Sequence, residues 1–258
     1  MKLDDVLRFD EAKLADDVAP RHIVALSGGK DSTAMALRLS EAEPRDYTYI
    51  ITPTGNELPE MVEHWDRLEC LLGKKLTRLG TLSLEGLIKI QKCLPSNRMR
   101  WCTRMLKIEP AIAYMRAHGG TLYVGLRADE EERQGLFDDS VAVDFPMRRW
   151  GWTEADVWSY LHERGVSIPY RTDCAWCYDQ RLSQWRRLWQ TNRAMYWQGA
   201  AYETMTGHTF RNPKRDSWPA SLAELAREFS NGRIPRGSED QMDLFEQAEH
   251  GRCRICNM

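Results

Sequence analysis

The sequence predicts an α/β fold: a parallel sheet with helices on both faces, followed by a smaller helical or irregular C-terminal lobe. Three observations predict it. From His22 to Leu126, short apolar runs alternate with amphipathic stretches, the order that builds parallel βαβ units. The run His22-Ile23-Val24-Ala25-Leu26 ends directly in Ser27-Gly28-Gly29-Lys30-Asp31-Ser32, a strand entering a helix through a glycine turn. Beyond Val143 no strong strand pattern appears, and helical or irregular sequence takes over.

Each element follows from local pattern. An amphipathic helix runs from Thr33 to Ala42, after the glycine turn. Tyr47 to Thr52 reads as a second strand closed by Pro53-Thr54-Gly55. Glu57 to Leu72 reads as a helix with Met61, Trp65, Leu68 and Leu72 on one face, and Cys70 falls in its apolar pattern as a core residue. Lys75 to Leu79 is a third strand and Leu84 to Gln91 a short helix. Cys102 to Ala117 is helical, with a fresh start expected near Pro110. Thr121 to Leu126 is a further strand. Thr153 is expected to cap a helix, with Asp156 completing a capping box. A boundary near residue 165 divides a nucleotide-binding α/β domain (1–165) from a Cys-, Trp- and Arg-rich lobe (166–258).

The chain has 258 residues, 42% of them hydrophobic and 29% charged, with a formal net charge of −2. Those values exclude a bulk disordered or polybasic chain. No apolar run approaches the roughly 18 residues of a membrane span, so no membrane partner is expected. The opening MKLDDVLRFDEAKLADD is too acidic for a targeting peptide, and a cytoplasmic protein is expected. Between Arg148 and Arg215, however, 11 Lys and Arg stand against 6 Asp and Glu. Seven of the ten tryptophans lie there: Trp150, Trp152, Trp158, Trp176, Trp185, Trp189 and Trp197. Two readings stay open for this stretch, a nucleic-acid face or core rings with solvated arginines.

The glycine turn carries the clearest chemistry. Gly28 and Gly29 let successive N–H groups converge on one anion, and the following helix adds the positive end of its dipole. Ser27, Ser32 and Thr33 supply hydroxyls, and Lys30 supplies a point charge for phosphate. The spacing is not that of a Walker A loop. Asp31 is the candidate carboxylate for Mg2+. Arg127, at the end of the Thr121 strand, is placed to clamp a phosphate. The adjoining Asp129-Glu130-Glu131-Glu132-Arg133 is either part of that site or an exposed helix start. His162, His208 and His250 read as surface residues.

Cys174-Ala175-Trp176-Cys177 is the second constellation. Two thiols at i and i+3 can chelate one metal, and Cys102 can join them from the first domain. The fourth position is either open, which would let an iron hold sulfide, or filled by Cys253 or Cys256, with Cys256 favoured. A zinc site of Cys174, Cys177, Cys253 and Cys256 is the rival arrangement. Cys93 precedes a loop and is either an extra thiol or a bystander.

These motifs together resemble a known family. Ser27 to Ser32 looks like the pyrophosphate-binding loop of the N-type ATP pyrophosphatases. Thr54-Gly55-Asn56-Glu57-Leu58-Pro59-Glu60 resembles the TG-x-E-x-PE motif of the phosphoadenosine phosphosulfate (PAPS) reductase family. Arg100-Trp101-Cys102 with Lys107-Ile108-Glu109-Pro110, Gly125-Leu126-Arg127 with Glu130, and Trp152-Thr153 to Val157-Trp158 resemble further segments of it. The resemblance covers about residues 22 to 210 and implies the adenine nucleotide alpha-hydrolase-like fold. It implies ATP and Mg2+ at Ser27, Gly28, Gly29, Lys30, Asp31, Ser32, Thr33, Thr54, Gly55 and Glu57, with Lys30, Asp31 and Arg127 catalytic.

Three departures refine the expectation. Lys30-Asp31 makes the chain look ATP-using, whereas true PAPS reductases usually lack that pair. Pro53 stands where an acidic residue commonly precedes the second motif. The reductases' terminal Glu-Cys-Gly-Leu-His is replaced by Arg252-Cys253-Arg254-Ile255-Cys256-Asn257-Met258. The resemblance therefore implies an ATP pyrophosphatase that adenylylates a substrate for sulfur transfer, as in DNA phosphorothioation or tRNA thiolation. Its expected companions are a 4Fe–4S cluster on Cys102, Cys174, Cys177 and Cys256 (with Zn2+ on Cys174, Cys177, Cys253 and Cys256 as the alternative), a cysteine desulfurase as sulfur donor, and DNA or tRNA as acceptor. The alternatives are a PAPS or adenylylsulfate reductase using Cys253 or Cys256 with thioredoxin, and a zinc-stapled nucleotide-binding module.

Overall fold

A computed structural model describes residues 21–130, 132 and 141–238. Cys253, Cys256, His250, Glu131, Arg133 and the acidic N-terminal segment lie outside the described residues. Five parallel strands form one sheet in the order β3-β2-β1-β4-β5. They are β1 (His22–Ala25), β2 (Tyr47–Ile51), β3 (Thr77–Arg78), β4 (Thr121–Tyr123) and β5 (Ala142–Asp144). In register, His22 of the central strand pairs with Tyr47 on one side and with Thr121 on the other. The chain thus builds outward from β1 through β2 to β3, then returns to the other side of β1 for β4 and β5. The strand order reverses between β1 and β4, and in open α/β sheets ligands bind outside the carboxyl ends at such a point.

Helices α1 (Lys30–Ala42), α2 (Pro59–Leu72), α3 (Leu84–Gln91) and α5 (Glu109–His118) occupy the predicted places. The stretch before α5 is a short α4 (Trp101–Thr103) running into a π-turn over Arg104–Ile108, and Pro110 then falls in the first turn of α5. The expected fresh start at Pro110 is not seen: residues 101–118 form one continuous helical stretch, and Pro110, which lacks an N–H, stands where the π-turn gives way to α5. Strand β4 ends at Tyr123 rather than Leu126, and β5 falls where no separate strand pattern stood out. Cys70 corrects the expectation of a core position, since it is exposed. The buried face of α2 is Met61, His64, Trp65 and Leu68, and two residues beyond Leu68 the helix has turned about 200° away.

After α6 (Pro146–Arg149) come α7 (Glu154–Glu163), α8 (Leu182–Thr191), α9 (Arg193–Thr206) and α10 (Leu222–Ser230). The capping box at α7 forms as expected: the Asp156 carboxylate accepts the Thr153 N–H at 2.8 Å and its hydroxyl at 2.6 Å. One apolar cluster packs α1, α2 and α7 against β1 and β2. A second joins Leu84, Leu87, Ile88, Trp101 and Leu106 to Trp176, Trp185, Tyr196 and Phe229. The C-terminal helices therefore share a core with the α3–α4 region. Trp176 and Trp185 are fully buried, Trp150, Trp152, Trp158 and Trp189 are partly buried, and Trp197 is exposed.

Glu203 of α9 is buried and accepts N–H bonds from Phe210 (3.0 Å) and Leu222 (2.6 Å), tying α9 to the loop before α10. Burial pushes its carboxyl up to about 7, against the pull of those N–H groups and of Arg211. The native state thus holds this proton more tightly than the unfolded chain does. Stability falls as pH rises from about 4.5 through 7 and is flat above, by at most about 3 kcal/mol. Denaturant titrations of the protein and of Glu203→Gln check this: the protein loses stability relative to the variant as pH rises across that window, and a constant difference would refute it.

Candidate active site

The site stands at the carboxyl ends of β1 and β4, at the point where the strand order reverses. The turn after β1 is shaped from beneath by α2. Gly28 has φ 82°, a left-handed conformation that suits glycine. A Cβ there would lie 2.1 Å from Met61 Cε and 2.9 Å from Trp65 Nε1, so the packing also requires its absence. Trp65 Nε1 faces the Ser27 carbonyl at 3.4 Å. His64, its neighbour on α2, carries a buried Nε2 with no hydrogen-bond partner, and burial pushes its imidazole down to about 4, so the ring is neutral.

Within the loop, the Ser27 and Ser32 hydroxyls bond each other at 2.9 Å, and Ser27 Oγ accepts the Gly29 N–H at 3.2 Å. Gly29 caps α1 with no side-chain acceptor, so the first-turn N–H groups of α1 face the loop, the geometry of an anion site. Thr33 Oγ1 is buried with no hydrogen-bond partner. Gly125 lets the end of β4 approach this turn, since a Cβ there would sit 3.2 Å from the Ser32 nitrogen.

Lys30 is wholly buried, and a lone ammonium there would be very costly. Its Nζ lies 2.9 Å from Asp31 Oδ2 and 3.6 Å from Glu154 Oε1. Asp31 Oδ2 in turn accepts from Arg127 Nη1 at 3.0 Å, and Arg127 Nε donates to Asp129 at 2.8 Å. Arg127 Nη2 also stands 3.6 Å from Glu130. The result is an alternating row of charges, Glu154, Lys30, Asp31, Arg127 and Asp129, in which each cation lies between anions. The pairing offsets the cost of burying both cations, and at Arg127 the carboxylates of Asp129, Asp31 and Glu130 raise the pKa against the effect of burial. Arg148 of α6 braces the row by donating to the Glu130 carbonyl at 2.6 Å. The entry to α7 is tied to the same loop, because the Trp152 carbonyl accepts the Ala128 N–H at 2.9 Å.

Glu154 and Arg148 are site residues that the sequence reading passed over. For Glu154 a signal existed: the Thr153–Asp156 capping box puts it in the first turn of a helix that follows the site's last motif. Replacing Glu154 with Gln removes one of the carboxylates at the Lys30 ammonium. The expected result is a fall in turnover of about tenfold, the size of one partly exposed charge interaction, with the melting temperature nearly unchanged. Full turnover in Glu154→Gln would show that Glu154 is not needed to fix Lys30.

The second loop stands at the end of β2. The Glu57 carboxylate accepts the Thr54 N–H at 2.6 Å and the Thr54 hydroxyl at 2.7 Å. That use of Glu57 is why α2 begins at Pro59 and not at Glu57. Gly55 has φ 71°, and a Cβ would meet Ser83 Cβ at 2.9 Å. Asn56 reaches the cysteine turn: its carbonyl accepts the Ala175 N–H at 2.7 Å and its Oδ1 accepts the Trp176 N–H at 3.0 Å. Arg171 Nη2 donates to the Cys174 carbonyl at 2.6 Å, and Gln180 Nε2 to the Ala175 carbonyl at 2.8 Å.

Cys174 and Cys177 face each other across that turn. The thiol of Cys177 hydrogen-bonds Cys174, which holds Cys174 below the usual thiol range, with Lys107 and Arg171 acting the same way. Cys177 is held well above that range by the same bond and by burial. Burial pushes Cys102 up to about 11, and Cys174 is its next largest influence. The three thiols thus act on one another and are of the right chemistry for a thiolate-bound metal. Among the described residues, no group of three or more His, Cys, Asp or Glu side chains is arranged to hold a metal ion. A cleft of 640 Å³ lined by Gln91, Cys93, Met99, Arg100, Trp101 and Arg104 opens beside Cys102.

The model of the phosphoadenosine phosphosulfate reductase domain matches residues 21–170, which contain β1 to β5 and the whole charge row. The chain belongs to the phosphoadenosine phosphosulfate reductase domain family. Within the family's range of relatives, it is 22% identical to sulfate adenylyltransferase subunit 2 of Streptomyces lavendulae over 95% of this chain and 88% of that protein. It is 31% identical, over 34% of this chain, to an uncharacterized protein of Methanocaldococcus jannaschii. That match spans only 18% of the archaeal protein's length. Two solved structures overlie it more loosely. The U34-tRNA thiolase NcsA from Methanococcus maripaludis, with its 4Fe–4S cluster, gives a TM-score of 0.47 at 16% identity, covering 80% of each chain. The PAPS reductase from Candida auris gives 0.43 at 18% identity, covering 58% of this chain and 76% of that one. The family range ends before Cys174, so it contains the glycine turn and not the cysteine turn. No helix among the described residues is long and apolar enough to cross a membrane.

Proposed function

We propose that the chain is an ATP pyrophosphatase that adenylylates a nucleic-acid substrate for sulfur transfer, DNA phosphorothioation or tRNA thiolation. The observation that carries the reading is the buried, charge-paired Lys30 beneath a glycine turn at the strand-order reversal. ATP with Mg2+ occupies the loop from Ser27 to Thr33, with Thr54, Gly55 and Glu57 shaping the second wall of the site. A substrate oxygen attacks the α-phosphorus, the bond to the β-phosphate breaks, and pyrophosphate leaves. Lys30, the α1 N–H groups and Arg127 neutralise the charge that develops on the phosphates, and Asp31 carries the Mg2+. Hydrosulfide, released by a thiol reductant from the persulfide of a donor such as a cysteine desulfurase, then attacks the activated centre, and AMP departs with the oxygen.

Cys102, Cys174 and Cys177, with Cys256 as fourth ligand, would hold a 4Fe–4S cluster. Such a cluster, when bound, carries or hands on sulfur. This chain's own contribution there is the fixed backbone of the cysteine turn and the low-lying thiol of Cys174. The reading is tested with Mg2+ and ATP in the presence of duplex DNA, of tRNA, or of neither. Pyrophosphate release stimulated by one nucleic acid supports it. Sulfite release from PAPS, with no pyrophosphate from ATP, would replace it with the reductase reading.

A further inference from the structure

The two constellations are not independent, because one residue joins them through its main chain and its side chain. Asn56 lies inside the nucleotide-side loop, between Gly55 and Glu57, and is almost completely buried. Its carbonyl holds the Ala175 N–H at 2.7 Å and its Oδ1 holds the Trp176 N–H at 3.0 Å. Both middle residues of the Cys174–Cys177 turn are therefore hung from this one residue. The far side of the turn is anchored elsewhere. Arg171 holds the Cys174 carbonyl, Gln180 the Ala175 carbonyl, and the Trp176 indole donates to the Met195 carbonyl of α9 at 2.7 Å. On the sheet side, the Thr54 carbonyl accepts the Leu84 N–H at 2.7 Å, and Glu57 clamps Thr54. A shift of the Thr54–Glu57 loop is then passed to the backbone that carries the two thiols, because Asn56, Ala175 and Trp176 are all buried.

We propose that Asn56 is a positioning residue that links occupancy of the nucleotide site to the placement of the Cys174–Cys177 turn. The inference rests on the ATP reading above and adds a mechanical route from that site to the thiols. Asn56 touches neither nucleotide nor sulfur in this role. It sets the distance and orientation between the two chemistries, so that the thiol turn responds when the loop at the end of β2 closes on its ligand.

The experiment uses the full chain and mass-resolved alkylation of Cys174 by iodoacetamide, with and without Mg2+ and ATP. ATP affinity is measured on the same samples by calorimetry. In the unsubstituted protein, Mg2+ and ATP are expected to change the Cys174 rate at least fivefold. In Asn56→Ala, which removes the Oδ1 bond to Trp176 and keeps the main-chain bond to Ala175, the response is expected to fall to less than half while ATP affinity stays within threefold. Asn56→Asp, which keeps an acceptor for the Trp176 N–H, is expected to restore a response of at least half. A full response in Asn56→Ala at unchanged ATP affinity would overturn the link, as would an unsubstituted protein that binds ATP without any change at Cys174. If Asn56→Ala does not fold, Asn56→Ser takes its place under the same criteria. The two ideas fail separately: ATP binding without pyrophosphate release refutes the ATP pyrophosphatase reading, while the alkylation rates still decide the role of Asn56.

Discussion

Replacing Lys30 with alanine is expected to lower the kcat of the proposed pyrophosphate release by about 10²- to 10³-fold, the usual loss when one preorganised electrostatic donor is removed. The structure explains why the loss is large and also why the fold survives. Lys30 is the only ammonium in the charge row, wholly buried at the first turn of α1 and directed by Asp31 and Glu154. Without it Asp31 keeps its partner Arg127 at 3.0 Å, and both Asp31 and Glu154 retain some access to solvent, so no anion is stranded in the interior. Lys30→Met, which fills the same volume, should behave like Lys30→Ala in turnover and melt within a few degrees of the unsubstituted protein. Turnover above a tenth of normal in both variants would show that the phosphates are bound elsewhere.

Replacing Cys174 with serine should empty the thiol site of metal. In protein purified without oxygen, iron and acid-labile sulfide are expected to fall from about four of each per chain, the stoichiometry of a 4Fe–4S centre, to below about one. The physical reason lies in the division of labour at the turn. Cys174 is the thiol whose surroundings favour the thiolate, through Cys177, Lys107 and Arg171, and the thiolate is the form that binds metal. Serine keeps the backbone hydrogen bonds to Asn56 and Arg171, so a loss of metal reports ligation rather than misfolding. Full iron in Cys174→Ser would place the ligands elsewhere, and one zinc per chain with no sulfide would identify a structural zinc site instead.

How much of this was legible in the sequence depends on how local the signal is. Strand β1, its glycine turn and α1 are contiguous, and each reports itself through a short apolar run, two glycines and an amphipathic period. Leu84 to Gln91 and the Thr153 cap are read correctly for the same reason. Strand β5 was not legible because Ala142–Asp144 is three residues long at the sheet edge, too short for any period to show. The buried Trp176 and Trp185 shared their spacing with rings that stay partly exposed, so the composition of the stretch alone left core and surface readings open.

The candidate site divides in the same way. Ser27 to Thr33 stand together because they are consecutive, and Arg127 joins them because β4 lies beside β1. Asn56 carried no local signal at all: its partners are 119 and 120 positions away, and only the folded chain brings the cysteine turn to it. Nor could sequence show that Lys30 is buried among carboxylates, since that depends on α7 packing against α1.

The central claim is that this chain cleaves ATP between its α and β phosphates. The most direct measurement incubates the purified protein with Mg2+, ATP and the candidate nucleic acids and identifies the products by phosphorus NMR. The account predicts AMP, free or attached to the acceptor, together with pyrophosphate, and neither product with Lys30→Ala. Formation of ADP and inorganic phosphate, or intact ATP under every condition while the protein is folded, would contradict it.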